Sequence, residues 1–255
     1  MNEPHRYRIL NRDACKYLAI FFMFWGHLFA WLILMRNPDA DNAYPLMPLW
    51  VRIVTHFSLF CPPVMFFFIA DGYKYTRSRK KYALRLGIFA LITQPFDWLV
   101  FQPVQGWWHT NVIFTLFFGL LALMAWESRF KTWQRVLLCI LCCGMTILIF
   151  SDWLIFGVLF ILFLHCFREK PKLRLTAYSL TALIWLFMGF IGAEPDAGFL
   201  MDKALDLAAL MLAYFCMTAL YNGKKGRHPV FAKWFFYCFY PAQYLIIWLV
   251  FKLTQ

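Results

Sequence analysis

NRDACKYLAIFFMFWGHLFAW, residues 11–31, is an apolar run with charge at one end and a single imidazole inside it. Lys16 and His27 stand eleven residues apart, close to a whole number of turns at about 3.6 residues per turn, so both project from one helix face. Arg12 and Asp13 fall within about 60° of that face. The run therefore reads as a helix with a basic entrance and a histidine about 16 Å further along. In a bilayer-spanning helix that depth is close to the midplane.

The whole chain agrees with a membrane setting. Of its 255 residues 62% are hydrophobic, 21% aromatic and only 15% charged, far too apolar for a surface that meets water. The net charge of +12 sits in short basic clusters between apolar runs, the pattern of cytoplasmic loops, and not in a nucleic-acid-binding face. The first apolar run is too long for a cleavable signal and no small-residue cleavage site follows it, so it is expected to remain as the first helix. The eight cysteines lie within or at the ends of apolar runs, which argues against a disulfide framework. Cys139 and Cys142 have CxxC spacing but no neighbouring His or acidic partners, and no metal site is expected.

Runs long enough to cross about 30 Å of hydrocarbon, or slightly short ones that could do so in a bundle, fall at about 14–35, 52–70, 82–101, 111–127, 135–150, 152–167, 174–192, 204–221 and 233–252. The fifth and sixth form one apolar stretch divided only by Ser151 and Asp152; about thirty residues are too many for one crossing, so a hairpin with Asp152 at its turn is expected. The distribution of charge supports the count. Arg6, Arg8, Arg12 and Lys16, the cluster from Lys74 to Arg85, Arg129 to Arg135, Arg168 to Arg174 and Lys224 to Lys233 place 21 of the 25 basic residues on one side. Arg36, Arg52, Lys203 and Lys252 fall opposite, with Asp39, Asp41, Asp152, Glu194, Asp196 and Asp202 and the belt residues Trp107 and Trp108 beside His109. The expected fold is a single all-α polytopic membrane domain over residues 1–255, with about nine transmembrane helices, a cytoplasmic N-terminus and an outside C-terminus.

Counting inward from each charged end brings His27, Pro62 and Pro63, Gln94 before Pro95, and Gln243 after Pro241 to similar depths, roughly 13–17 Å into the membrane. Adjacent prolines remove two backbone donors and are expected to bend the second helix, lining a polar midplane cavity. Buried amides also glue helices together, and that is the plainer role for Gln94 or Gln243 alone. An imidazole at this depth is costly and marks a functional path. His56 and His165 lie nearer the two faces, where water or headgroups can satisfy them. The stretch DGYKYTRSRKKYALR, residues 71–85, carries Lys74, Arg77, Arg79, Lys80, Lys81 and Arg85 among tyrosines. Such a cluster orients the chain and attracts anionic lipid; it equally suits the phosphates and base of a cytosolic ligand.

The motifs DACKYLAIFFMFWGH, PPVMFFFIADGYKYTRSRKKYALRL, TNVIFTLFFGLLAL, YNGKKG and FYCFYPAQYLIIWL together resemble the TraX family, whose best-known members are conjugative pilin acetylases, and more distantly the acyltransferase-three superfamily. They cover the first half and the C-terminal fifth in matching order. The resemblance implies acyl transfer from cytosolic acyl-CoA, most often acetyl-CoA, with His27 as catalytic base and with Lys16, Arg77, Arg79, Lys80, Lys81 and Arg85 facing the donor. Two positions depart from the family pattern: Gly26 stands where an Asp often precedes the histidine, and Gln243 where a His often follows the Tyr-Pro pair.

The function expected from sequence is thus a bacterial cytoplasmic-membrane acetyltransferase whose His27 accepts a proton from an amine or hydroxyl as it attacks the thioester. Asp71, Gln94, Asn111 and Gln243 are candidate substrate or oxyanion contacts, Asp71 also standing where it would orient the basic loop. The acceptor could be a pilin N-terminus, a surface glycan or a small molecule. A transporter or flippase is the rival reading, because broken helices and a polar midplane also serve alternating access.

Overall fold

A computed structural model describes residues 7–36 and 47–254. Arg6, Asp39 and Asp41, which enter the charge pattern above, lie outside the described residues, as does the side chain of Arg36. The described chain is helical: α1 (Arg12–Arg36), α2 (Leu49–Phe57), α3 (Cys61–Tyr75), α4 (Arg79–Gln105), α5 (Val112–Trp126), α6 (Thr132–Leu148), α7 (Leu154–Cys166), α8 (Pro171–Met188), α9 (Ala197–Phe215) and α10 (Pro229–Leu253). A 3-10 turn, Ser58–Phe60, joins α2 to α3, so nine rods coincide with the nine apolar runs of the sequence. Side chains start several of them: Asn11 accepts from Ala14 N (2.9 Å), Ser78 from Lys81 N (3.3 Å), Asn111 from Ile113 N (3.0 Å) and Asp196 from Phe199 N (2.6 Å).

Length separates the rods. Five are long and apolar enough to cross a membrane: Arg12–Ile33, Leu49–Tyr75, Arg79–Pro103, Ala197–Leu220 and Pro229–Leu253. Helices α5, α6 and α7 are apolar but only 15, 17 and 13 residues long, about 20–26 Å against about 30 Å of hydrocarbon. The protein is a multi-pass, all-helical membrane protein. The prolines of the second run do interrupt it, in a specific way. The helix tightens to 3-10 at Ser58–Phe60 and restarts at Cys61, so Pro62 and Pro63 occupy a first turn, where a missing N–H costs least.

The chain packs as two compact units, one of residues up to Val64 with Leu186–Cys238, the other of Met65–Trp185 with the chain from Phe239 onward. In the first, α1 lies close against the α2 end. A Cβ on Gly26 would come within 2.4 Å of Ser58 Cβ and 3.2 Å of the Thr55 carbonyl, so this contact admits only glycine without a shift. Phe22 packs on Phe57 and Phe60 below it. Helix α2 is tied to α9 by a buried charge network. Arg52 donates to Asp202 Oδ1 (2.7 Å) and to the Gly198 carbonyl (2.7 Å); His56 places its ring nitrogens 3.0 Å from Asp202 Oδ1 and 2.6 Å from Asp206 Oδ1; Lys203 reaches Asp206 Oδ2 at 3.1 Å. The segment before α1 is held by the YNGKKG loop: Leu10 N donates to Leu220 O, Asn222 N to Leu10 O and Arg12 N to Lys224 O.

In the second unit α5 packs against α4, α6 and α7. Gly157 on α7 faces Thr115 and Phe66 so closely that a Cβ there would lie 2.3 Å from Thr115 Cγ2. The α6–α7 hairpin turns at residues 149–153 as expected, with Phe150, Trp153 and Leu154 in left-handed backbone (φ 47°, 64° and 41°). Non-glycine residues there cost on the order of 1–3 kcal/mol each and persist only where their surroundings hold them. Those surroundings are the Thr115 hydroxyl, bonded to Ser151 Oγ and the Asp152 carbonyl, and Trp153, stacked on Trp185 at 4.6 Å.

Two stability outcomes follow from the first unit. Gly26→Ala should cost about 1–3 kcal/mol through overpacking, read as a lower melting temperature in detergent; an unchanged value would refute the tight α1–Ser58 contact. Asp206→Ala leaves Lys203 without its carboxylate and His56 with Asp202 alone, and should cost about 3–5 kcal/mol by the same measurement.

Candidate functional site

Helix α1 carries Lys16 and His27 on one continuous rod. Lys16 Nζ lies 5.2 Å from the Phe236 ring centroid, and Tyr17 beside it packs on Phe235 and Phe236 at 5.4 and 4.9 Å. His27 follows Met23 and precedes Trp31 by one turn each, both buried, and is itself half-buried with a fully enclosed Nδ1. The neighbouring position explains one departure from the family pattern. With Ser58 Cβ at 2.4 Å from a side chain's first atom, position 26 has no room for a carboxylate.

The basic stretch caps the second unit. Arg77, Arg79, Lys80 and Lys81 are exposed, and Arg85 is half-buried. Tyrosines hold two of them: the Arg79 guanidinium lies 4.2 Å from the Tyr73 ring centroid and that of Arg85 5.8 Å from Tyr82. Asp71 is buried at the base of this stretch, bonded at 2.8 Å by Arg168 from the α7–α8 connection. The Arg168 guanidinium balances its charge there. Arg77, Arg79, Lys80 and Lys81 so form an open cationic mouth suited to phosphate groups.

Gln94 and Asn111 come together, and their amides are committed to one another. Gln94 Oε1 accepts from Asn111 N (3.0 Å) and Nδ2 (2.8 Å); Gln94 Nε2 donates to the His109 carbonyl (3.0 Å); Asn111 Nδ2 also donates to the Ala90 carbonyl (3.0 Å). The pair pins the α4–α5 connection to α4 and caps α5. Gln243 differs. It is fully buried in α10, and neither amide atom has a hydrogen-bond partner among the described residues.

Beside this lock stands a group that the sequence reading passed over. Asp97, fully buried on α4, and Asp152, in the strained hairpin turn, face one imidazole nitrogen: His109 Nε2 is 3.9 Å from Asp97 Oδ2 and 3.4 Å from Asp152 Oδ1. Gln94 Nε2 approaches Asp97 Oδ2 at 3.4 Å, and Trp98 Nε1 donates to the His109 carbonyl at 3.2 Å. One signal was in the sequence. Asp97 is the single carboxylate inside the third apolar run, three residues after Gln94, and an ionisable residue at such a place is costly unless it has a use. His109 was masked by Trp107 and Trp108, which read as an interfacial belt. The Arg52 and His56 network was hidden because Asp202 lies 150 residues from Arg52 and Asp206 150 residues from His56 in sequence.

A family model described as TraX protein matches residues 11–251, nearly the whole chain. The chain is also 32% identical over 197 residues to the probable fimbrial assembly protein FimC, serogroup H1, of Dichelobacter nodosus, a match covering 72% of this chain and 77% of that protein. No solved structure matches it. With the Lys16-to-His27 helix, the basic stretch and the YNGKKG loop all inside the matched region, the chain belongs to the TraX family.

Proposed function

We propose that this protein is a membrane-embedded acyltransferase that moves an acetyl or other short acyl group from cytosolic acyl-CoA to an amine or hydroxyl acceptor. The observation that carries the reading is the Lys16-to-His27 spacing on one helix of a TraX-family chain, with the histidine half-buried and its Nδ1 enclosed. His27 takes the proton from the acceptor as its nitrogen or oxygen bonds to the thioester carbonyl carbon; the C–S bond then breaks and CoA leaves as the thiol. Arg77, Arg79, Lys80, Lys81 and Arg85 supply the charges that suit the phosphates of the donor. The fimbrial name of the Dichelobacter relative supports a pilin as acceptor. In this reading the N-terminus is cytoplasmic, the C-terminus lies outside the bacterial cytoplasmic membrane, and the shorter helices complete nine crossings.

A transporter is the second reading. Its support is the pair of irregular turns in long apolar rods, the 3-10 segment Ser58–Phe60 and the π segment Cys216–Leu220, because broken helices frame the sites of alternating-access proteins. Donor binding separates the two. CoA at about 100 times its dissociation constant should stabilise an acyltransferase by about 2.7 kcal/mol in detergent, and no shift in melting temperature would favour transport.

Acetylation by the purified protein should fall about 10²–10⁴-fold in His27→Ala with the melting temperature kept, the range lost with a general base; undiminished turnover would end that assignment. Lys80→Ala combined with Lys81→Ala should instead raise KM for acetyl-CoA about tenfold at little change in kcat, since donor binding is what those charges supply.

A further inference from the structure

Two thiols meet inside the first unit. Cys15, in the second turn of α1, and Cys216, directly after α9, stand 201 residues apart in sequence, and Cys216 Sγ lies 4.0 Å from Cys15 Sγ. Both side chains are buried, with 0% and 1% of their surface exposed. A buried thiol on its own is a small apolar filler. Cys139, from the CxxC spacing on α6, fits that description and turns its sulfur to the Ala122 carbonyl at 3.6 Å. Two sulfurs in van der Waals contact, brought together from opposite ends of the chain, are instead the starting arrangement for a disulfide.

The backbone around the pair is irregular on one side and clasped on both. Cys216 opens the π segment Cys216–Leu220, which Tyr221 N closes by donating to Cys216 O at 3.0 Å. A π turn closes its hydrogen bonds one residue later than an α-helix, so it holds slack that an α-helix lacks, and such turns occur mostly at functional places. Directly beyond it the Leu220–Lys224 loop grips the chain ahead of α1: Leu10 N donates to Leu220 O (3.0 Å), Asn222 N to Leu10 O (2.8 Å) and Arg12 N to Lys224 O (2.9 Å). Cys15 follows this clasp by one turn, its own N–H bonded to the Asn11 carbonyl at 3.1 Å, and Cys216 precedes Leu220 by one turn. The sulfurs therefore stand one turn inside a clasp made of hydrogen bonds. A disulfide needs them to close from 4.0 Å to about 2.05 Å, a movement that the slack of the π segment accommodates.

We propose that Cys15 and Cys216 are a redox-sensitive pair that a low-molecular-weight disulfide, RS–SR, converts to a Cys15–Cys216 disulfide. One cysteine, as its thiolate, attacks a sulfur of RS–SR; the S–S bond of the reagent breaks, one RS⁻ leaves and takes up a proton, and a mixed disulfide remains. The second cysteine gives up its proton and attacks the protein sulfur of that mixed disulfide, expelling the other RS⁻, which is protonated in turn. In sum two cysteine thiols lose two electrons and two protons, and RS–SR is reduced to two RSH. Because both sulfurs are enclosed, the first attack waits on opening of the clasp; once formed, the disulfide holds the clasp shut and ties α1, with His27, to the end of α9. In the topology of the proposed function the pair faces the cytoplasm, where disulfides are transient and redox-sensing, so it stays as thiols until disulfide stress closes it.

The test incubates full-length protein in detergent with oxidised glutathione and maps its peptides by mass spectrometry without reduction. The expected product joins the Cys15 and Cys216 peptides, two hydrogens lighter than their sum, and is lost on treatment with dithiothreitol. Oxidation should raise the melting temperature by about 5–15 °C, the effect of closing a loop of this length, and slow amide exchange at Leu10 and Asn222, where the clasp lies. Cys15→Ala and Cys216→Ala should each abolish the link and both shifts; if one variant does not fold, the other and the dithiothreitol reversal in the wild type decide. Glutathione adducts on the exposed Cys166 and Cys238 without a Cys15–Cys216 link overturn the proposal, as does a link that leaves melting temperature and exchange unchanged. Acetyl transfer is no part of the readout, so absent acetyltransferase activity leaves this result standing.

Discussion

In hydrocarbon a backbone amide has no water to turn to, so every break in a helix must be settled by a neighbour. The structure follows from that constraint. Helices fill the apolar runs, and the irregular places are those where the polymer supplies its own partners: the 3-10 turn ahead of Pro62 and Pro63, the π segment closed by Tyr221 N on Cys216 O, and the hairpin turn held by Thr115. The connection between α4 and α5 is bonded as thoroughly. Gln94 and Asn111 between them engage the backbone of Ala90, His109, Asn111 and Ile113.

Against this background of satisfaction the exceptions carry meaning. Thr93, Asp97 and Gln243 are fully buried and keep polar atoms without hydrogen-bond partners among the described residues, and all three belong to the unit that also bears the basic stretch. Helix α4 links the two features. Arg85 and Asp97 stand twelve residues apart on it, about 18 Å, so one rigid element separates a cationic end from an anionic one. Charge of opposite sign is thereby kept apart along a single helix.

Much of the fold was legible because hydropathy is local. The nine apolar runs became nine rods, and the Ser151–Asp152 break became a hairpin, since thirty apolar residues cannot fit one crossing. The shortness of three rods was also visible in their runs, and the structure supplies its cause. α5, α6 and α7 fall short of a full crossing because Asn111, Lys131 and the left-handed Trp153 fix their starts. The candidate site was half legible. The Lys16-to-His27 spacing lies within one helix and can be counted, whereas the Gln94–Asn111 lock and the convergence of Asp97, His109 and Asp152 depend on loops folding back over distances that no periodicity encodes. Position 26 is instructive. A missing carboxylate looked like a chemical loss in sequence, and the Ser58 contact shows it to be a steric requirement of packing.

The pairing of Leu10 and Arg12 with the loop at Leu220–Lys224 also sets an order of events during synthesis. The opening helix leaves the ribosome more than two hundred residues before the loop that anchors it, an interval on the order of 10–40 s at ordinary elongation rates. Through that interval Arg12 and Asp13 have each other but not the backbone of Lys224 and Gly226 that later closes over them. The first unit therefore closes late, and the helix bearing His27 reaches its final setting only when nearly the whole chain has been made.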